Sequence, residues 1–128
     1  MALRKDLRLL IVDDMAVSRQ VLTQLLEQLG LVDVRSAKTA SEALLRQDQH
    51  PADIVISDLN MPGMDGIELL QRMRADRRSY ATRFVLTSGN DADPRIDDAR
   101  MEGMDRFLPK PFTADRLIRV LEAVSGRL

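Results

Sequence analysis

The chain has 128 residues, 45% of them hydrophobic and 30% charged, with a formal net charge of -1; that length suits one domain around one core. Near-neutrality offers no overall basic field for nucleic acid, and the absence of cysteine excludes disulfides, thiolate metal sites and cysteine catalysis. No apolar run approaches the roughly 18 residues of a membrane span, and Met1-Ala2-Leu3-Arg4-Lys5-Asp6 opens no signal-peptide pattern, so a cytoplasmic location is expected.

The chain alternates short apolar runs with helical patterns. Leu9-Leu10-Ile11-Val12 is a near-continuous apolar run, as in a strand buried on both faces. Val17, Val21, Leu22, Leu25, Leu26 and Leu29 then recur at helical spacing, and Gly30 suits the position just past a helix end. Val32-Asp33-Val34 alternates as a short second strand, and a second helix covers about Ala40 to Arg46 with Ala43 and Leu44 inward. His50, the single histidine, lies beside Pro51 in a polar stretch and reads as a loop residue, not a base or ligand.

Ile54-Val55-Ile56 is a β-branched strand that stops at Ser57-Asp58. The turn Met61-Pro62-Gly63-Met64-Asp65-Gly66 follows, then a helix burying Ile67, Leu70 and Met73. Phe84-Val85-Leu86 is the fourth strand and ends at Thr87-Ser88, with Asp93-Pro94 as N-cap and first residue of helix four. Phe107-Leu108 is a short fifth strand, and Pro109 suits an edge because proline cannot donate to a ladder. The last helix begins after Thr113 and buries Leu117, Val120, Leu121 and Val124. Such alternation implies right-handed βαβ crossovers and an α/β, flavodoxin-like, doubly wound sheet of five parallel strands in the order 2-1-3-4-5.

In that topology the polar residues at strand ends converge. Asp13 and Asp14 follow strand one, Asp58 ends strand three, Thr87 ends strand four and Lys110 follows strand five, all at the carboxyl edge where such sheets bind ligands. Singly, each has a bland explanation: an Asp-Asp pair often caps a helix, and a strand-end Asp often serves a turn. Together they place several carboxylates in one pocket, which repel unless protonated or neutralised by a cation. Oxygen donors without His or Cys favour a hard ion such as Mg²⁺. With Lys110 and a Thr87 hydroxyl, that pocket suits a phosphoryl group carried on an aspartate as an acyl phosphate.

At this point the chain resembles the response-regulator receiver family, and within it the CheY-like chemotaxis regulators. The matching segments are Leu10-Ile11-Val12-Asp13-Asp14, Ile56-Ser57-Asp58-Leu59-Asn60-Met61-Pro62-Gly63-Met64-Asp65-Gly66, Val85-Leu86-Thr87-Ser88 and Lys110-Pro111-Phe112. The resemblance implies that Asp58 is the phosphoacceptor. It implies that Asp14, Asp58 and the Asn60 main-chain carbonyl ligate Mg²⁺ (or Mn²⁺), with Asp13 acting largely through water. By the same resemblance Thr87 and Lys110 hold phosphoryl oxygens, and small Ser88 lets a donor approach. Phe107 becomes the aromatic switch residue, without the tyrosine hydroxyl of the best-known members. Asn60 and Gly89 become the positions that tune dephosphorylation, and Lys110-Pro111 a cis peptide.

The function so implied is a single receiver domain over residues 1–128 with no output domain. It is expected to be a monomer and a signalling protein, not an enzyme, with slow autodephosphorylation. A histidine kinase phosphorylates Asp58, and the face made by helix four, strand five and helix five binds a target, such as the flagellar motor switch. The alternatives are a phosphorelay intermediate serving a histidine phosphotransfer protein, or a fragment of a longer regulator. An aspartate-nucleophile phosphatase of the haloacid-dehalogenase type fits poorly, because it needs Asp-x-Asp after strand one where this chain has adjacent Asp13-Asp14. Nucleotide binding lacks a Gly-rich turn after strand one.

Overall fold

Strands form where β-branched and leucine-rich runs can be covered on both sides, and helices form where the apolar period lengthens to 3.6. In the computed structural model, which describes residues 3–126, the order is β1 (Arg8–Val12), α1 (Ala16–Gln28), β2 (Asp33–Ala37), α2 (Ala40–Gln49), β3 (Ile54–Asp58), α3 (Gly66–Ala75), β4 (Arg83–Ser88), α4 (Arg95–Met101), β5 (Arg106–Pro109) and α5 (Ala114–Ser125). All strand pairings are parallel, and the sheet runs β2-β1-β3-β4-β5, the expected flavodoxin-like order with Pro109 on an edge strand.

The two faces of the sheet carry separate cores because successive strand residues point oppositely. Leu9, Ile11, Ile54, Ile56 and Val85 pack with Leu22 and Leu26 of α1 and Leu117, Leu121 and Val124 of α5. Leu10, Val12, Val55 and Leu86 pack with Ala43 of α2, Leu69, Leu70 and Met73 of α3, and Ile96 and Ala99 of α4.

Several expected details shift. Val17 and Val21 are exposed, not inward; at 3.6 residues per turn they sit roughly 100–140° around α1 from Leu22. Val32 is exposed and precedes β2, which begins at Asp33. The second helix runs on to Gln49 and buries Gln47, whose side chain donates to Thr82 and accepts from the Ala52 N–H. Leu69 is buried in α3 where Ile67 is only half-buried, and Val120 of α5 is likewise half-buried. Pro94 occupies the N-cap position of α4 rather than its first turn, although the Asp93 carboxylate still accepts the Arg95 N–H at 2.9 Å. His50 is indeed outside a helix, but it is half-buried and its Nε2 lies 2.8 Å from Asp33 Oδ2.

Helices α2, α3 and α5 start on conventional caps. Thr39, Asp65 and Thr113 accept from the N–H groups of Glu42, Glu68 and Arg116, which satisfies a free donor in each first turn. Gly30, at φ +90°, turns the chain out of α1.

Gly66 sets the distance between α3 and the end of β3. A Cβ there would collide with the Asp58 carbonyl oxygen and crowd Leu86 and Leu59, while the Gly66 N–H donates to Leu59 O at 2.9 Å. Backbone oxygen cannot rotate aside as a side chain can. Gly66→Ala is therefore expected to lower unfolding stability by about 2 kcal/mol, as overpacking does; urea denaturation followed by circular dichroism checks it.

Candidate functional site

The strand ends assemble the site. β1 runs out at Val12, and the Asp13 N–H adds one more rung by donating to Ala37 O at 3.1 Å. Asp13 Oδ1 accepts the Met15 N–H at 2.9 Å, an Asx turn that swings the chain into α1. Helix α1 has Met15 in its N-cap position and no side-chain cap. The acid pair is therefore not spent on capping, the bland explanation that its sequence left open. Arg19 reaches back from the first turn of α1, its Nη1 donating to Asp13 O at 2.8 Å.

Asp58 closes β3 beside Thr87 of β4, the two being register partners, and Thr87 O accepts the Leu59 N–H at 2.9 Å. Lys110 follows β5, held by its N–H donating to Ser88 O at 2.9 Å, and the Lys110-Pro111 peptide is cis, as expected. Its Nζ lies 3.0 Å from Asp13 Oδ2 and 3.4 Å from Asp58 Oδ1. Asp13, Asp58 and Thr87 are buried, whereas Asp14 is exposed and its carboxylate makes no hydrogen bond among the described residues.

One carboxylate oxygen each from Asp13, Asp14 and Asp58 falls within a 4.8 Å span. Burial is the main influence raising the Asp58 carboxyl above its ordinary value; Lys110 opposes the rise, and Asp13 and Asp14 add to it. Three ionised carboxylates against one ammonium leave two negative charges, which a divalent cation balances. The donors are all oxygen, they converge, and one side stays open to solvent, so the residues present fit a hard ion that keeps water in its shell.

Comparison with known proteins identifies the family. The family model described as "Response regulator receiver domain" matches residues 9–122. The chain belongs to the response-regulator receiver family. This receiver domain is 34% identical over 128 residues to the "probable chemotaxis protein CheY" of Rhizobium etli, covering 100% of this chain and 99% of the relative. It superimposes on the chemotaxis protein CheY4 of Vibrio cholerae with a TM-score of 0.87 at 28% identity, over 93% of this chain and 98% of that one. The receiver domain of the sensor histidine kinase PA1611 from Pseudomonas aeruginosa shares the fold at a TM-score of 0.86 and 23% identity, over 94% and 98% of the two chains; that protein carries a magnesium ion coordinated in its active site cleft.

The remaining expected residues fall around this centre. Ser88 is buried next to Thr87, its Oγ accepting the Asn90 N–H at 3.1 Å. Gly89 is exposed just past β4, and a Cβ there would meet nothing within 4 Å. Phe107 lies on β5 opposite Leu86, half-buried against the core shared by α2, α3 and α4. Asn60 is exposed at the rim, and its Oδ1 accepts from Arg95 Nη2 at 2.6 Å. Arg19, Arg95 and the close-packed Gly66 are missing from the residues that sequence reasoning singled out. An arginine reaching a main-chain carbonyl or a distant amide leaves no pattern in the chain, whereas Gly66 stood in view within the turn motif.

The charge crowding has a measurable consequence. A carboxyl whose folded-state value is raised costs stability above that value, and the cost vanishes as pH falls through the window down to the ordinary 3.8. Metal-free Asp58→Asn is thus expected to be more stable than wild type at pH 7 by about 1 kcal/mol, roughly 4 °C in Tm. The difference should shrink toward zero as pH approaches the ordinary carboxylate range. Calorimetric melts across pH in the presence of a chelator read it directly.

Proposed function

We propose that this receiver domain takes a phosphoryl group on Asp58 from a histidine kinase and signals by phosphorylation-dependent binding to a partner protein, in chemotaxis or motility. The observation that carries this reading is the placement of Asp58: a buried carboxylate with two further acids within reach of one ion and an ammonium 3.4 Å away. In the transfer, an Asp58 carboxylate oxygen forms the bond to phosphorus as the donor's N–P bond breaks, and the imidazole so released takes up a proton. Thr87 lies beside Asp58 in the adjacent strand, where its hydroxyl donates to one phosphoryl oxygen, and Lys110 pairs with another.

Asp14, Asp58 and the Asn60 carbonyl would hold Mg²⁺ or Mn²⁺, with Asp13 acting through water. Such an ion supplies neutralisation of the charge that the phosphoryl oxygens bring into an already acidic pocket. Small Ser88 leaves the approach to Asp58 open. Phe107, packed behind Thr87's strand, repacks when Thr87 is drawn to the phosphoryl group, and that changes the α4–β5–α5 face offered to the target. The names of the relatives, chemotaxis proteins among them, favour a motor or kinase-linked target.

Two measurements test this. Incubation with radiolabelled acetyl phosphate and Mg²⁺ should give wild-type protein an acid-stable, base-labile label that Asp58→Asn lacks; labelling of the variant at the wild-type rate removes Asp58 from the role. Titration calorimetry should show Mg²⁺ binding that weakens roughly tenfold or more in Asp14→Ala, where a ligand and a charge are lost. Because Asp58 must be ionised to bind the ion, affinity should also fall as pH drops below its raised value, earlier than for an ordinary carboxylate.

A further inference from the structure

Asn60 and Arg95 meet beside the acidic cluster although 35 positions separate them. Arg95 Nη2 donates to Asn60 Oδ1 at 2.6 Å. The guanidinium is anchored: the Asp93 carboxylate, 12% exposed, takes Nε at 3.2 Å and Nη2 at 2.8 Å as a fork, and accepts the Arg95 backbone N–H at 2.9 Å. Arginine carries only donors, so the amide atom facing it is the oxygen and the Asn60 NH₂ group faces away.

With Asp14, the exposed acid of the cluster, and with Met61 and Asp65, Asn60 and Arg95 line a surface depression beside the buried acids. On the β4 side, Gly89 brings no side chain. Water reaching a phosphoryl group on Asp58 from this depression passes Asn60, whose carbonyl oxygen is a neutral side-chain acceptor on the rim.

Resting on the reading of Asp58 as phosphoacceptor, we propose that Arg95 is a positioning residue that prolongs the phosphorylated state by occupying the Asn60 side-chain oxygen. Hydrolysis forms a bond between water oxygen and phosphorus and breaks the bond between phosphorus and the Asp58 oxygen. It returns the carboxylate and releases inorganic phosphate and a proton. The attacking water needs an acceptor for one hydrogen to be aligned with phosphorus. While Arg95 holds Oδ1 at 2.6 Å, one of that oxygen's two lone pairs is taken and the guanidinium fixes the direction of the amide, so Oδ1 is a weaker and misdirected acceptor for the water.

The test is the decay of label after acetyl phosphate is removed, in wild type, Arg95→Ala, Arg95→Lys, Asn60→Ala and the Arg95→Ala/Asn60→Ala double variant. Arg95→Ala should lose label several-fold faster, Arg95→Lys should stay near wild type, and in the Asn60→Ala background Arg95→Ala should change nothing. A general loosening of the loops would instead speed decay with or without Asn60. That outcome, or unchanged decay in Arg95→Ala, overturns the proposal while leaving the phosphoacceptor role of Asp58 standing. Failure of the wild-type protein itself to take up label overturns that role and this proposal together.

Discussion

Like charge crowded at one rim of a sheet is the constraint around which this molecule is organised. Asp13 and Asp58 are buried and Asp14 stands at the opening, and the one ammonium among them, Lys110, arrives from the far side of the sheet. Burial makes ionised carboxylates costly, and mutual repulsion adds to that cost. The arrangement is tolerable because Lys110 pairs with two of the acids at once and because the third keeps its solvent. It remains charge-deficient, and that deficiency is what makes the pocket receptive to a divalent cation.

The scaffold keeps this strained electrostatics in register by main-chain means. Parallel ladders lock Asp58 against Thr87, and the ladder beyond β5 holds Lys110 against Ser88. Gly66 lets α3 sit close under the end of β3, and the Asx turn at Asp13 delivers the chain into α1 without spending the acids on a cap. At the opposite end of the sheet, Arg74 ties α3 to the carbonyls of Tyr80, Thr82 and Gly103 and to Asp105. The distant end is thus cross-linked through one half-buried guanidinium.

Much of the site was legible in the residues because its members fall at strand ends, and parallel topology brings those ends together. The motif from Asp58 to Gly66 and the Lys110-Pro111-Phe112 run carried the family likeness that residues 9–122 bear out. Less legible was how helices turn their faces. Val17 and Val21 share an apolar spacing with Leu22 and Leu26, yet they lie outside the arc that meets the sheet. His50 looked like a plain loop residue because its partner, Asp33, sits 17 positions away on an edge strand.

The order of apolar runs, the helix stops and the acids at strand ends are local patterns, so the sequence by itself determined an α/β sheet and the set of carboxylates that would meet. Which atoms touch is a matter of long-range geometry. Lys110 bridging Asp13 and Asp58, and Arg95 seated on Asn60, arise only when loops from different strands are brought side by side. Side-chain reach and direction decide such contacts, and neither is written in spacing along the chain.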